Sequence, residues 1–273
     1  MPELPEITVI ARQMKAEITG KQIAGIESNQ PKNLNIPAAE FVETAKGKTV
    51  ENVSSRGKWI FVKLKPSYFM LINLGMGAKL LHFTSEHKPP EKCHFKMTFT
   101  DGGGVTIGFS WFGYIHLVSE ESLTRHKMTA SLGISPLDKE FTMENFDKLL
   151  GKREARVKDF LIDQKNIAGI GNVYIQDTLF KAKLHPQRKI SALSQKEKNE
   201  LYNAIRDVLD RAIQIGGLAY EEDFYGRKGG LTIDEFLVGY KPGKPCPTCG
   251  TTIEKIKTGS TSSYICPKCQ TLK

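Results

Sequence analysis

Trp59-Ile60-Phe61-Val62-Lys63-Leu64, followed by Phe69-Met70-Leu71-Ile72-Asn73-Leu74, decides the fold class of the first half of the chain. Runs this short, rich in β-branched and aromatic residues and bounded by turn residues, read as strands. Two more such runs flank Asp101-Gly102-Gly103-Gly104, and the strand pattern extends from about Gln22 to Val118, which predicts an antiparallel sandwich or barrel. Upstream of it, Leu4, Ile7, Ile10, Ala11, Met14 and Ile18 recur at helical spacing before Gly20, so the chain opens with one amphipathic helix. Downstream of Ser119 the text becomes helical. Leu132-Gly133-Ile134-Ser135-Pro136 reads as a linker, Thr142-Met143-Glu144-Asn145 as a helix start, and helices are expected over 144–152, 154–163, 172–182 and 194–216. The Gly- and charge-rich stretch 220–230 reads as a mobile loop before a final module that begins near Val238.

At 273 residues the chain has room for more than one core, since single domains usually run to about 100–200 residues. Its composition, 40% hydrophobic and 25% charged, is that of a globular protein, and no polar or repetitive tract argues for disorder. Lys and Arg number 39 against 30 Asp and Glu, a formal charge of +9, which favours a polyanionic partner. No segment approaches the roughly 20 apolar residues of a membrane span, and the first twenty residues contain no apolar run of signal length. The expectation is a soluble monomer without a membrane partner, in the cytoplasm or nucleoid of a bacterium.

Five cysteines are present. Cys93 stands alone, whereas Cys246-Pro247-Thr248-Cys249 and Cys266-Pro267-Lys268-Cys269 have the spacing of a tetrahedral zinc site built from two turns. A redox dithiol explains one such pair and leaves the second without a purpose. Four thiolate ligands leave no open coordination position, so one structural Zn2+ is expected. Between the pairs, residues 251–264 read as a β-hairpin with the small polar tip Gly259-Ser260-Thr261. Such a hairpin can enter a DNA groove, although some zinc ribbons bind only protein.

Gly169-Ile170-Gly171-Asn172 lies just before an expected helix. Glycines there let backbone N–H groups approach a phosphate, Asn172 adds a side-chain donor, and Lys158 and Lys165 flank the turn. At the other end of the chain, Pro2-Glu3-Leu4-Pro5-Glu6 has a structural reading: Pro5 suits a first helical turn, and Glu3 and Glu6 suit the positive end of its dipole. That reading gives Pro2 nothing to do. Removal of Met1 would make Pro2 a secondary amine with a pKa near 8, partly unprotonated at neutral pH. Its attack on a sugar C1′ would expel a base and leave an iminium, while Glu3 passed protons to the sugar oxygen and the leaving group.

In these residues the chain resembles the formamidopyrimidine-DNA glycosylase and endonuclease VIII family. The resemblance runs from residues 2–6 through Arg56-Gly57-Lys58, Asn73-Leu74-Gly75-Met76, Asp101-Gly102, Phe112-Gly113, residues 132–137, the turn at 169–172 and His185-Pro186 to the four cysteines. It implies an α+β multidomain protein in three parts. These are an N-terminal antiparallel β-sandwich with its leading helix (1–131), a helical helix–two-turn–helix domain (132–237) and a C-terminal β-hairpin zinc finger (238–273), with damaged double-stranded DNA in the cleft between them. It further implies that Pro2 is the Schiff-base nucleophile, Glu3 the general acid and Lys58 a phosphate contact that assists elimination. Asn172, Lys158 and His94 take positions of DNA-backbone ligands, and Met76 and Phe112 those of wedge residues that fill the gap left by an everted base. The implied activity is base excision followed by β-elimination at the abasic site.

Four positions depart from the family pattern. Thr261 stands where the hairpin tip usually carries arginine, and Trp111 precedes Phe112 where the oxidised-guanine branch has an arginine that pairs with the orphaned cytosine. Trp111 can stack in the gap but offers no paired hydrogen-bond fork. Asn73 replaces a histidine and Asp177 a glutamate. The substrate expected from this set is an oxidised pyrimidine, a formamidopyrimidine or an abasic site. Two other readings stand beside it: an AP lyase without glycosylase activity, and a non-catalytic DNA-binding protein, which has no need of Pro2, Glu3 and Lys58 together.

Overall fold

The computed structural model describes residues 1–86, 89–90 and 92–272. The chain forms two compact units, 1–131 with 216–229, and 132–215 with 230–273. The first opens with α1 (Leu4–Ile18), whose buried stripe Ile7, Ile10, Ala11, Met14 and Ile18 follows the expected helical spacing. Then come β1 (Ile23–Ser28), α2 (Ala38–Ala45), β2 (Thr49–Arg56), β3 (Trp59–Lys65), β4 (Tyr68–Asn73), β5 (Lys79–Phe83), β6 (Phe95–Phe99), β7 (Gly104–Gly108) and β8 (Tyr114–Ser119). They build two four-stranded antiparallel sheets, β1-β6-β7-β5 and β2-β3-β4-β8.

The opening stretch shows why these are sandwich strands. Ile60, Val62 and Leu64 of β3 point into the core, opposite Ile72, Met70 and Tyr68 of β4. They meet Phe95, Met97, Val105 and Ile107 of the other sheet in one apolar cluster, with the buried face of α1 along it. Period-2 alternation therefore sets both register and layer. α2 lies inside the region read as strands, and it seals the sandwich with buried Phe41 and Ala45.

The second unit contains α3 (Met143–Leu150), α4 (Val157–Ile162), α5 (Tyr174–Lys181), α6 (Gln195–Gln214) and the hairpin β9 (Glu254–Thr258) and β10 (Thr261–Ile265). Helix starts follow capping chemistry: Thr142 Oγ1 accepts from Asn145 N at 3.2 Å, and Ser194 Oγ from Glu197 N at 3.3 Å. The expected helix at 154 starts three residues later, because Arg156 stays extended and bridges to Lys189. Among the described residues no helix is long and apolar enough to cross a membrane.

Residues 220–230 differ from the mobile loop expected of them. Phe224 is fully buried in the sandwich cluster, its carbonyl accepts from His82 N at 2.9 Å, and its N–H donates to Gln13 Oε1 at 2.9 Å. One buried aromatic fastens a stretch whose glycines and charges suggest a mobile loop. In the second unit the hairpin packs on α5 through Phe180, Val238, Ile253 and Tyr264, so the finger shares its core with the helices.

Candidate active site and nucleic-acid interface

Pro2 and Glu3 lead into α1, and both are buried, Glu3 to 3% exposure. Glu6, one turn on, holds them in place. Its Oε2 accepts from Glu3 N at 2.9 Å and its Oε1 from Leu218 N at 3.1 Å. The helix-dipole reading of Glu6 is therefore incomplete, for its carboxylate also joins the N-terminus to residues 216–229. Gly217 must be glycine for this: its φ is +85°, and a Cβ would lie 2.7 Å from Glu6 Oε1. At the chain start, the Met1 ammonium lies 3.5 Å from Glu221 Oε1.

Lys58 follows Gly57 in the tight turn between β2 and β3. Asn73 Nδ2 donates to the Lys58 carbonyl at 3.0 Å, while Asn73 Oδ1 accepts from Gly75 N at 3.1 Å. The residue that departs from the family histidine thus pins the lysine turn to the β4–β5 loop.

That loop meets the β7–β8 loop. Met76 N donates to Trp111 O at 2.8 Å and Trp111 N to Met76 O at 3.1 Å. Trp111 and Phe112 are 67% and 68% exposed and Met76 is also exposed, so three large apolar side chains stand side by side in solvent. Phe112 adopts φ +59°, a left-handed backbone that costs roughly 1 kcal/mol or more for a non-glycine residue. Gly75 makes the clasp possible, since a Cβ there would lie 2.4 Å from Trp111 O and its φ is +60°. Gly75→Ala is expected to destabilise the first unit by about 2 kcal/mol and to weaken DNA binding. Thermal melting and fluorescence anisotropy on duplex DNA check this; unchanged values for both would show that the clasp is not required.

His94 sits just before β6, where its Nδ1 accepts from Phe109 N at 2.9 Å. That bond places the proton of the neutral ring on Nε2, a donor suited to a phosphate oxygen.

In the second unit the structure buries Lys158. It was expected on the DNA backbone, yet it is 1% exposed. Its Nζ donates to Thr258 Oγ1 at 3.0 Å, Thr261 Oγ1 at 2.9 Å, Ser262 O at 2.8 Å and Ser263 Oγ at 2.8 Å. Burial pushes its pKa down to about 8, so the ammonium still prevails at neutral pH. The lysine is an internal strut of the hairpin, and Thr261 at the tip is one of its acceptors. Lys158→Met is expected to cost about 3 kcal/mol, because four hairpin oxygens lose their shared donor. Chemical denaturation reads this directly, and a variant as stable as the wild type would contradict the strut.

The glycine turn also differs from expectation. Gly169 N donates to Gln164 Oε1 at 2.8 Å, so this N–H serves the fold and is not offered to a phosphate. Asn172 keeps its place at the α5 start, where Gln176 Nε2 donates to its Oδ1 at 3.1 Å and its carbonyl at 2.8 Å. Gln176 also reaches the finger, donating to Ser262 O at 3.3 Å and accepting from Tyr264 N at 3.0 Å. Asn172 and the hairpin are thereby joined through one glutamine. Asp177 accepts from the N–H groups of Leu237, Val238 and Gly239 at 2.7, 3.0 and 3.0 Å. Gln164, Gln176 and Glu221 have no place in the sequence reading, since a polar residue within a helix or loop carries no pattern of its own.

The sulfurs of Cys246, Cys249, Cys266 and Cys269 lie within 4.8 Å of one another, and the Cys246–Cys269 pair is 3.9 Å apart. Tetrahedral bonds of about 2.3 Å to zinc require sulfur separations near 3.8 Å. Hydrogen bonds from Thr251 draw the Cys249 thiol down to about 6, while burial pushes Cys266 up and Cys269 up to about 12. A dication is what this donor set calls for. The site fits one structural zinc, whose chemistry is to hold the thiolates and hence the hairpin.

Three family descriptions match the chain: the formamidopyrimidine-DNA glycosylase N-terminal domain over 1–108, its H2TH domain over 132–222, and the zinc finger found in FPG and IleRS over 243–272. The formamidopyrimidine-DNA glycosylase of Pelotomaculum thermopropionicum is 37% identical over the full length of both chains, and that of Chloroflexus aurantiacus is 35% identical over 99% of this chain and 98% of its own. Crystal structures of the Lactococcus lactis enzyme are similar at 28% identity. The G226P variant with Fapy-dG-containing DNA superposes with a TM-score of 0.90 and covers 99% of this chain and 100% of that one. A complex with abasic-site DNA gives 0.89 over 98% and 99%. With catalytic-domain, H2TH and zinc-finger descriptions matched in order and relatives aligned end to end, this chain belongs to the formamidopyrimidine-DNA glycosylase family.

Proposed function

We propose that the mature chain is a base-excision repair enzyme, a DNA glycosylase with AP lyase activity acting on damaged double-stranded DNA. The carrying observation is the buried Pro2-Glu3 start, tied down by Glu6, in a chain of this family. Pro2 attacks C1′ as the damaged base leaves, and Glu3 supplies the proton to the departing groups. Lys58 holds a phosphate beside the reacting sugar. Because the iminium of a secondary amine stays cationic, it acidifies the C2′ proton, and loss of that proton breaks the 3′ phosphate bond by β-elimination.

Met76, Trp111 and Phe112 fill the gap behind the everted nucleotide, and His94 and Asn172 hold backbone phosphates. Trp111 stacks without reading the opposite base, so tolerance of several opposite bases is expected, with oxidised pyrimidines, formamidopyrimidines and abasic sites as the substrate class. Thr261 brings no cation to the groove. Cys246, Cys249, Cys266 and Cys269 would hold one zinc, which when bound would keep the finger folded. We place the protein in the cytoplasm as a monomer. Borohydride trapping tests the core of this reading. Wild-type protein is expected to form a covalent adduct with lesion-containing or abasic duplex through Pro2, and absence of any adduct would refute it.

A further inference from the structure

Glu221 carries a mostly buried carboxylate to which the steps above give no role. Its Oε1 lies 3.5 Å from the terminal ammonium of Met1, and its side chain is 10% exposed. Loss of Met1 moves the chain terminus to the adjoining nitrogen, that of Pro2. The position of Glu221 is secured independently of Met1. Glu221 N donates to Leu218 O at 3.0 Å, Leu218 N donates to Glu6 Oε1 at 3.1 Å, and Glu6 Oε2 accepts from Glu3 N at 2.9 Å. This chain of bonds leads from the carboxylate back to the residue beside Pro2.

The neighbouring acids are engaged elsewhere. Glu222 pairs with Lys79 at 2.7 Å, and Asp223 takes Gln13 Nε2 at 2.7 Å and Arg227 Nε at 3.2 Å. Burial raises the Glu221 carboxyl above the ordinary glutamate range, against the opposing pull of the terminal amine. A desolvated carboxylate of raised basicity is a better proton acceptor.

We propose that Glu221 is the acid–base partner of the N-terminal amine, the group that takes the proton from the Pro2 nitrogen as the iminium forms; this rests on Pro2 being the nucleophile. The neutral amine's lone pair forms the N–C1′ bond as the bond from C1′ to the damaged base breaks and its electron pair leaves with the base. The nitrogen, now bonded to three carbons and one hydrogen, is positively charged. Glu221 accepts that hydrogen as a proton. The freed lone pair closes the iminium double bond while C1′–O4′ opens and O4′ takes a proton from Glu3. Each of the two proton transfers then has its own carboxyl group, one at nitrogen and one at oxygen.

The test is the pre-steady-state rate of borohydride-trapped adduct formation on lesion-containing duplex from pH 5 to 9, for wild type, Glu221→Asp and Glu221→Gln. Glu221→Gln is expected to slow trapping by about 10²-fold at unchanged DNA affinity. Its rate should climb with hydroxide by about tenfold per pH unit where the wild type is level. Glu221→Asp, which keeps a carboxylate, is expected to recover part of the rate and the level profile. A glutamine variant with wild-type rate and profile overturns the proposal, and so does a uniformly lowered rate with the wild-type profile, which would mark a purely structural residue. If the glutamine variant does not fold, NMR titration of the wild-type Glu221 carboxyl decides: coupled steps shared with the Pro2 amine support the pairing, and independent steps overturn it. Failure of the wild type itself to form an adduct at Pro2 would instead bring down the nucleophile reading.

Discussion

Pro2→Gly is expected to lower base excision on lesion duplex by about 10³-fold or more, while affinity for the duplex stays within a few-fold. Glycine keeps an amine at the same place, so the loss reports on what a secondary amine alone can do. The Schiff base of a primary amine can shed its last proton and become neutral, which removes the electron sink that acidifies C2′. Proline's iminium has no N–H to lose. Backbone freedom adds to the effect, since glycine surrenders more conformational entropy to hold the amine over C1′. A companion variant with an unprocessed N-terminal extension has no such amine and is expected to give no adduct at all. Single-turnover excision and intact-mass detection of the reduced adduct check both. Wild-type adduct yield from the extended chain would end the proline mechanism.

Loss of the zinc site is the second large effect. Cys266→Ser is expected to abolish stoichiometric zinc and unfold the hairpin, because binding free energy at such sites is of order 10 kcal/mol and is inseparable from folding. The damage should not stop at the finger. Ser262 O and Tyr264 N bind Gln176, whose amide holds Asn172, and Gln270 Nε2 donates to Leu184 O at 2.9 Å. Lys158 would lose its four oxygen acceptors. DNA affinity is therefore expected to fall by about 10²-fold, as contacts at both the hairpin and the α5 start are lost. Elemental analysis and anisotropy measure the two parts. A variant that keeps one equivalent of zinc, or lacks zinc and binds like the wild type, would contradict this coupling.

The sequence alone determined the larger architecture and the metal, for reasons that are local. A stripe at 3.6-residue spacing can only bury one helical face, so the buried side of α1 was legible in Ile7, Ile10, Met14 and Ile18. Alternation in Ile60, Val62 and Leu64 fixed a sandwich strand. Paired Cys-x-x-Cys motifs bring four thiolates together whatever else the chain does. The candidate nucleophile was legible because a proline after Met1 has little structural use, the neighbouring carboxyl suggested proton transfer by Glu3, and the family resemblance supplied a role for Lys58.

Tertiary structure decided what depends on partners distant in sequence. Lys158 looked like a surface cation beside a glycine turn, and it became a buried strut because residues 258–263, a hundred positions on, supply its oxygens. Gly169 resembled a phosphate cradle until Gln164 took its N–H. Glu221 stood in an acidic, glycine-rich run with no visible purpose, and burial of Phe224 with the tether of Glu6 to Leu218 set it beside the chain terminus. Hydrogen-bond partners of charged groups have no periodicity to betray them, so the same lysine or glutamate reads alike whether it meets solvent, a phosphate or the interior. Burial and closure of the chain make that choice, and here they set Lys158 under the hairpin and brought Glu221 to the chain terminus.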